Sequence, residues 1–153
     1  MLEELKNKML QYSVPTKPRS FGTEYSFPED LDRTTLQDLG SLMLKLAAWK
    51  GYALKILAFA QAEKTFVETK HDNRIAKQIA ITSTDKRTTK DAALGRLILE
   101  DEDFRKTKEQ LTSKTIEVSM LKDVIEIYAM QIEVLSREFS RRSLEFQMLQ
   151  KGI

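Results

Sequence analysis

The sequence predicts an all-α fold: a long helical hairpin or coiled-coil bundle with an extended N-terminal arm, assembled as an oligomer. Three observations predict it. Heptads run unbroken from Phe104 to Leu149, an earlier apolar run at helical spacing extends from Leu39 to Val67, and a polar stretch separates the two. Composition agrees, because 31% of the residues are charged while glycines number five and prolines three, a mixture suited to long exposed helices rather than sheets. The 153 residues fit one helical domain over 31–153, preceded by the arm at 1–30.

Residues 2–12 have the spacing of a short amphipathic helix, with Leu2, Leu5, Met9 and Tyr12 on one stripe. Pro15, Pro18 and Pro28 then interrupt regular structure. Lys17 and Arg19 stand there together with Phe21, Tyr25 and Phe27, so residues 13–30 read as an extended arm whose aromatics dock on a surface.

Asp32 to Thr35 offer capping side chains for the first long helix. Leu39, Leu42, Leu46, Trp49, Ala53, Ile56, Ala60 and Val67 form its inward seam, with Glu63 out of place. Gly40, Leu44, Ala47, Gly51, Leu54 and Ala58 lie nearly opposite. Interior glycines cost about 1 kcal/mol each relative to alanine. A second helix approaching closely would explain them, whereas alanines alone are simply good helix formers. After Val67 the rhythm fades through Lys70, His71, Asp72, Asn73 and Arg74, then returns at Ile75, Ile79 and Ile81. Residues 82–91 are polar and read as a loop. A short helix at Ala92–Leu99 and an acidic block at Glu100–Asp103 lead into the last helix.

That last helix places Phe104, Leu111, Val118, Ile125, Ile132, Phe139 and Phe146 at a, and Thr107, Lys114, Leu121, Tyr128, Leu135, Arg142 and Leu149 at d. β-branched residues at a with leucine at d suit two-stranded packing. Phe104, Phe139 and Phe146 are wide for it and favour a bundle or ring. Lys114 and Arg142 are costly if desolvated without partners, so their levels are expected to open to solvent or to an anion. The helix would be roughly 65–70 Å long, more than one short chain can cover, which implies partner helices. The expected oligomer contacts are Leu46, Trp49, Gly51, Leu54 and Ala58 on the first helix. On the last they are Val118, Leu121, Ile125, Tyr128, Ile132, Leu135 and Phe139.

Catalysis finds little support. The chain has no cysteine and one histidine, His71, which cannot assemble the usual zinc site or a Cys–His pair; its polar surroundings predict a solvated surface residue. The Glu100–Asp103 block complements a helix N-terminus without any metal. No phosphate-binding glycine loop is present, and neither cofactor nor metal is expected. Lys45, Lys50 and Lys55 interrupt the most apolar stretch, Leu42–Ala60, which argues against a membrane span. Early acidic residues in 2–12 argue against a signal peptide. A soluble cytoplasmic protein is the simplest expectation.

The formal net charge is only +2, but its distribution is uneven. From Lys64 to Arg96 eight basic residues face four acidic ones. Lys64, Lys70, Arg74, Lys77, Lys86, Arg87 and Lys90 are the candidate nucleic-acid contacts, with a second group at Arg137, Arg141 and Arg142. A sequence-neutral single-strand binder also needs aromatic faces for stacking. Phe66 and the arm residues Phe21, Tyr25 and Phe27 qualify, whereas Trp49 and Tyr52 read as core. Repetition around an oligomer would join weak patches into one multivalent site. The competing expectation is a coiled-coil adaptor or structural subunit, in which these charges serve solubility alone.

The order of features resembles phage recombination mediators of the UvsY type. The resemblance rests on a Trp-bearing helix (Leu46–Tyr52), a Lys-rich continuation (Ala62, Glu63, Lys64 to Lys70), a polar connection and an acidic lead-in (Glu100 to Phe104). A long helix follows, ending in Ser136–Arg137 and Ser140–Arg141–Arg142. It covers roughly residues 45–147, as a pattern of helix lengths rather than a signature motif. It implies a ring-forming helical accessory protein that binds single-stranded DNA. Such a protein helps a RecA-like recombinase replace the single-strand-binding protein, with Lys64, Lys70 and Arg74 in the DNA-contacting segment. In a phage-encoded chain the compartment would be the host cytoplasm.

Overall fold

Thr35 starts the first long helix with a side-chain cap. In the computed structural model its Oγ1 accepts the Asp38 N–H at 3.1 Å and donates to Asp38 Oδ2 at 2.7 Å, which satisfies a first-turn amide. The structure describes Glu3, Glu4, Asn7 and residues 27–82 and 89–152. Glu3, Glu4 and Asn7 are helical; the remainder of the 2–12 stripe and the arm up to residue 26 lie outside the described residues. The described residues are all-helical, without strands. A 3-10 turn at Leu31–Arg33 precedes α1 (Leu36–Thr82), followed by α2 (Lys90–Glu100) and α3 (Glu102–Gln150). No helix among them is long and apolar enough to cross a membrane.

Two boundaries differ from the sequence expectation. α1 does not end where its apolar rhythm fades, because Lys70 to Arg74 are helical; these side chains lack a buried stripe but include no helix breaker. The predicted loop also shrinks from both sides. Thr82 closes α1, while Lys90 and Asp91 form the first turn of α2, which Thr89 caps by accepting the Ala92 N–H at 3.2 Å. Residues 83–88 lie outside the described residues.

The described residues divide into two compact units, one within Leu57–Met120 and the other within Glu3–Ile56 and Leu121–Ile153. In the second, Leu39, Leu42 and Leu46 of α1 bury themselves with Leu135 of α3, and Phe27, Leu31, Met43, Trp49, Tyr128 and Ile132 pack around them. Trp49 and Tyr128 meet with ring centroids 6.4 Å apart. Lys55, expected to spread charge around the helix, is instead buried with its ammonium 5.7 Å from the Tyr52 ring centre, a cation–π contact that shelters its stem.

This packing covers part of the heptad seam within the chain, while Phe139, Phe146 and Leu149 of the same seam are exposed. Leu46 and Leu135 are buried by their own chain, and Trp49, Tyr128 and Ile132 pack on that core. Interior Gly40 likewise needs no tight approach: a methyl group there would meet Phe139 Cε2 at 4.0 Å, an ordinary contact. Gly40→Ala is therefore expected to stabilise the fold by about 0.5–1 kcal/mol in urea denaturation, through lower chain entropy in the unfolded state.

Arg142 sits at a d position, where exposure to solvent or an anion was expected. Its guanidinium instead donates to the Leu31 and Thr34 carbonyls, and Nε donates to Glu138 at 2.7 Å. Glu138 also accepts two hydrogen bonds from Arg141, at 2.7 and 3.0 Å. The Arg141 hydrogen bonds, then those of Arg142, pull the Glu138 carboxyl from its ordinary 4.5 to about 2. A carboxyl depressed in the folded state stabilises above its unfolded pKa, and that contribution disappears as pH falls through the folded value. Glu138→Gln should thus be less stable than the parent at pH 7. The gap in urea midpoint should narrow between about pH 4.5 and 2 and close below.

In the unit within Leu57–Met120, Ile75, Leu97 and Phe104 form the core, with Ile79, Leu94 and Ile98 against it. α2 supplies the third wall, so the wide gap predicted for Phe104 is filled within one chain. The two oddities of the sequence seams also meet here. Lys114 Nζ lies 2.5 Å from Glu63 and 2.7 Å from Glu117, and its pKa is raised by the Glu117 and then the Glu63 hydrogen bond. The d-position lysine is closed by two carboxylates rather than open.

Candidate nucleic-acid interface

One face of α1 in the Leu57–Met120 unit joins an exposed aromatic ring to free cations. Phe66, Lys70, Asn73 and Lys77 stand at i, i+4, i+7 and i+11, so helical geometry aligns them over about 16 Å. Phe66 is 52% exposed. Lys70 and Lys77 are exposed, and neither has an ion-pair partner among the described residues. The inward side of the helix, carrying Ile75 and Ile79, holds this face outward.

A groove of about 250 Å3 runs beside the stripe, lined by Lys70, Asn73, Arg74 and Lys77 from α1 and by Asp101, Asp103, Phe104 and Thr107. Arg74 and Asp101, which line it from opposite sequence segments, are joined to each other. Nε and Nη2 of Arg74 donate to Asp101 Oδ2 at 2.9 and 2.6 Å, while Asp101 Oδ1 accepts the Phe104 N–H at 3.0 Å and caps α3. The Arg74 hydrogen bond, then the Phe104 amide, holds the Asp101 carboxyl below its ordinary value. Arg74 is thereby committed to a structural clasp. The carboxylates lie on the α3 rim, so an anion entering this groove meets attraction along α1 and repulsion from Asp103.

The other predicted cations divide sharply. Lys64 is half-buried and projects from the side of α1 that carries His71 and Ile75, away from Lys70 and Lys77. Lys90 is exposed in the first turn of α2; Lys86 and Arg87 lie outside the described residues. The C-terminal group belongs to the other unit, where each member has carboxylate partners. Arg137 pairs with Glu133, Arg141 with Glu138 and Glu145, and Arg142 with Glu138. These three cations are compensated before any ligand arrives.

His71 departs from its expectation of a solvated side chain. It is 14% exposed, stacks on Phe104 at 4.8 Å between centroids, and places Nδ1 3.4 Å from Asp72 Oδ1. Its Nε2 is buried without a hydrogen-bond partner among the described residues. Asn73, which the sequence presents only as part of a polar run, is exposed on the cationic face, seven residues from Phe66.

Among the expected oligomer contacts, Leu46, Val118 and Leu135 are buried within the chain. Trp49, Gly51, Ala58, Leu121, Ile125, Tyr128 and Ile132 are half-buried, and Leu54 and Phe139 are exposed. No family model, curated protein or solved structure matches this chain.

Proposed function

We propose that this chain is a non-enzymatic accessory protein that binds single-stranded DNA and acts as a recombination mediator. In that role it would help a RecA-like recombinase displace the single-strand-binding protein in the cytoplasm. The observation that carries the binding step is the Phe66–Lys70–Asn73–Lys77 face. A solvent-facing ring offers a stacking platform for any base, two uncommitted ammonium groups neutralise phosphates, and an amide supplies a donor and an acceptor beside them. The mediator role rests on the resemblance in helix order. Self-association multiplies the single face into an extended track.

The test is fluorescence anisotropy of a labelled oligothymidylate across a salt series. Binding should be measurable at low salt and weaken with a logarithmic slope of about −0.7 for each phosphate neutralised. An oligonucleotide left unbound at low salt ends the proposal. One observation favours a second reading, a coiled-coil adaptor for another protein: Ile127, Met130 and Val134 of α3 are exposed apolar side chains. On that reading neutralising Lys70 and Lys77 leaves partner binding unchanged.

A further inference from the structure

The groove beside Lys70 and Lys77 presents three different chemistries to a ligand. Its α1 rim carries those two ammonium groups, neither of which has an ion-pair partner among the described residues. Its depth holds Phe104 and Thr107, both buried, and the Thr107 hydroxyl is turned aside to donate to the Asp103 carbonyl at 2.9 Å. What the depth offers is carbon. The α3 rim carries two carboxylates in unlike states. Asp101 is engaged by Arg74 and by the Phe104 N–H, whereas the exposed Asp103 side chain has neither a hydrogen bond nor an ion pair among the described residues.

This layering sorts the parts of a nucleotide. A phosphate is attracted to α1 and repelled by Asp103, so the backbone of a strand is held on the lysine rim. A neutral base meets no such repulsion and suits the carbon-lined depth. The volume of about 250 Å3 is the room of about eight water molecules, enough for one base and too little for a base pair. Lys70 stands one helical turn, roughly 5.4 Å, from Phe66, so a strand with one base stacked on Phe66 would pass its next phosphate over Lys70 and bring the following base to the groove. There the edge of that base would meet Asp103. A carboxylate only accepts hydrogen bonds; it pairs with the amino group of cytosine, whereas the carbonyl oxygen at the same place on uracil and thymine repels it.

We infer that this groove is a base-reading pocket for single-stranded DNA, in which Asp103 favours cytosine over uracil and thymine through the exocyclic amino group. The pocket rests on the single-strand binding proposed above, and adds a preference that stacking on Phe66 and the two lysines cannot supply.

Labelled oligodeoxycytidylate and oligodeoxyuridylate of equal length differ at that edge and not in phosphate number, so anisotropy titrations of the parent chain at low salt isolate the contact. Cytidylate should bind at least about threefold more tightly, with the same salt slope for both. Asp103→Asn, whose amide both donates and accepts, should bring the ratio to about one. Glu102→Gln removes the same charge from the same helical turn at a residue that does not line the groove, and should keep the parent's ratio. Equal affinity of the two oligonucleotides for the parent, or a ratio that survives Asp103→Asn, overturns the pocket while leaving single-strand binding intact. A ratio lost equally in Glu102→Gln overturns it too, because bulk charge then accounts for the preference. If neither oligonucleotide binds at low salt, single-strand binding itself fails and the pocket falls with it.

Discussion

Truncating Phe104 to alanine is expected to cost about 3–5 kcal/mol, the largest single-residue effect on stability in its unit. Phe104 is 2% exposed and packs with Ile75 and Leu97, so the change removes apolar burial and leaves a cavity where α1, α2 and α3 converge. The His71 ring loses the face on which it stacks. Alanine's better helix propensity returns only a few tenths of a kcal/mol. Thermal denaturation followed by circular dichroism should show Tm falling by roughly 6–20 °C. Phe146→Ala is the control: its ring is exposed on the same helix, and its loss should change stability by less than about 0.5 kcal/mol. Equal effects from the two substitutions would contradict a three-helix junction around Phe104.

Removing the aromatic face and the free cations separately is expected to damage DNA binding in two distinguishable ways. Phe66→Ala should weaken oligothymidylate binding by about 1–3 kcal/mol, the typical worth of one stacked base, with the salt slope unchanged. Lys70→Gln and Lys77→Gln should each reduce the slope by about 0.7, because each removes one phosphate contact. Arg137→Gln should alter neither, since Glu133 already neutralises that guanidinium. Anisotropy titrations at several salt concentrations separate these outcomes. Equal losses from Arg137→Gln and Lys70→Gln would show that only bulk charge matters and that the α1 face has no special role.

The long final helix was legible because its a and d positions repeat without interruption, and its bounds fall close to those read from the pattern. The end of α1 was not, since periodicity marks where a helix buries a stripe rather than where its backbone stops. Glu63 and Lys114 looked like separate defects in two seams; their pairing depends on how α1 and α3 align, which neither local pattern contains. His71 was misread for a similar reason. Its neighbours in sequence are polar, while the ring that shelters it comes from α3. Counting cations located the basic region but not their partners, so Arg74, Arg137, Arg141 and Arg142 could not be told from Lys70 and Lys77. How much of the seam the first helix covers was not legible either, because that depends on which levels of α1 and α3 come together, as Leu46 and Leu135 do. The stripe at Ile127, Met130 and Val134 lies in a second heptad frame, overshadowed in the sequence by the longer a and d seam.

The meeting of α2 and α3 at Asp101 has a consequence for how this chain tolerates changes in length. That residue closes the last turn of α2 by donating its N–H to the Leu97 carbonyl and starts α3 by accepting the Arg105 N–H at its own carbonyl, so the joint contains no spare residue. One inserted amino acid would turn whatever follows by about 100° and detach the carboxylate from either Arg74 or the Phe104 amide. Insertions and deletions in related chains should therefore avoid this corner, which works like a mitred joint: its fit depends on both pieces being cut to length.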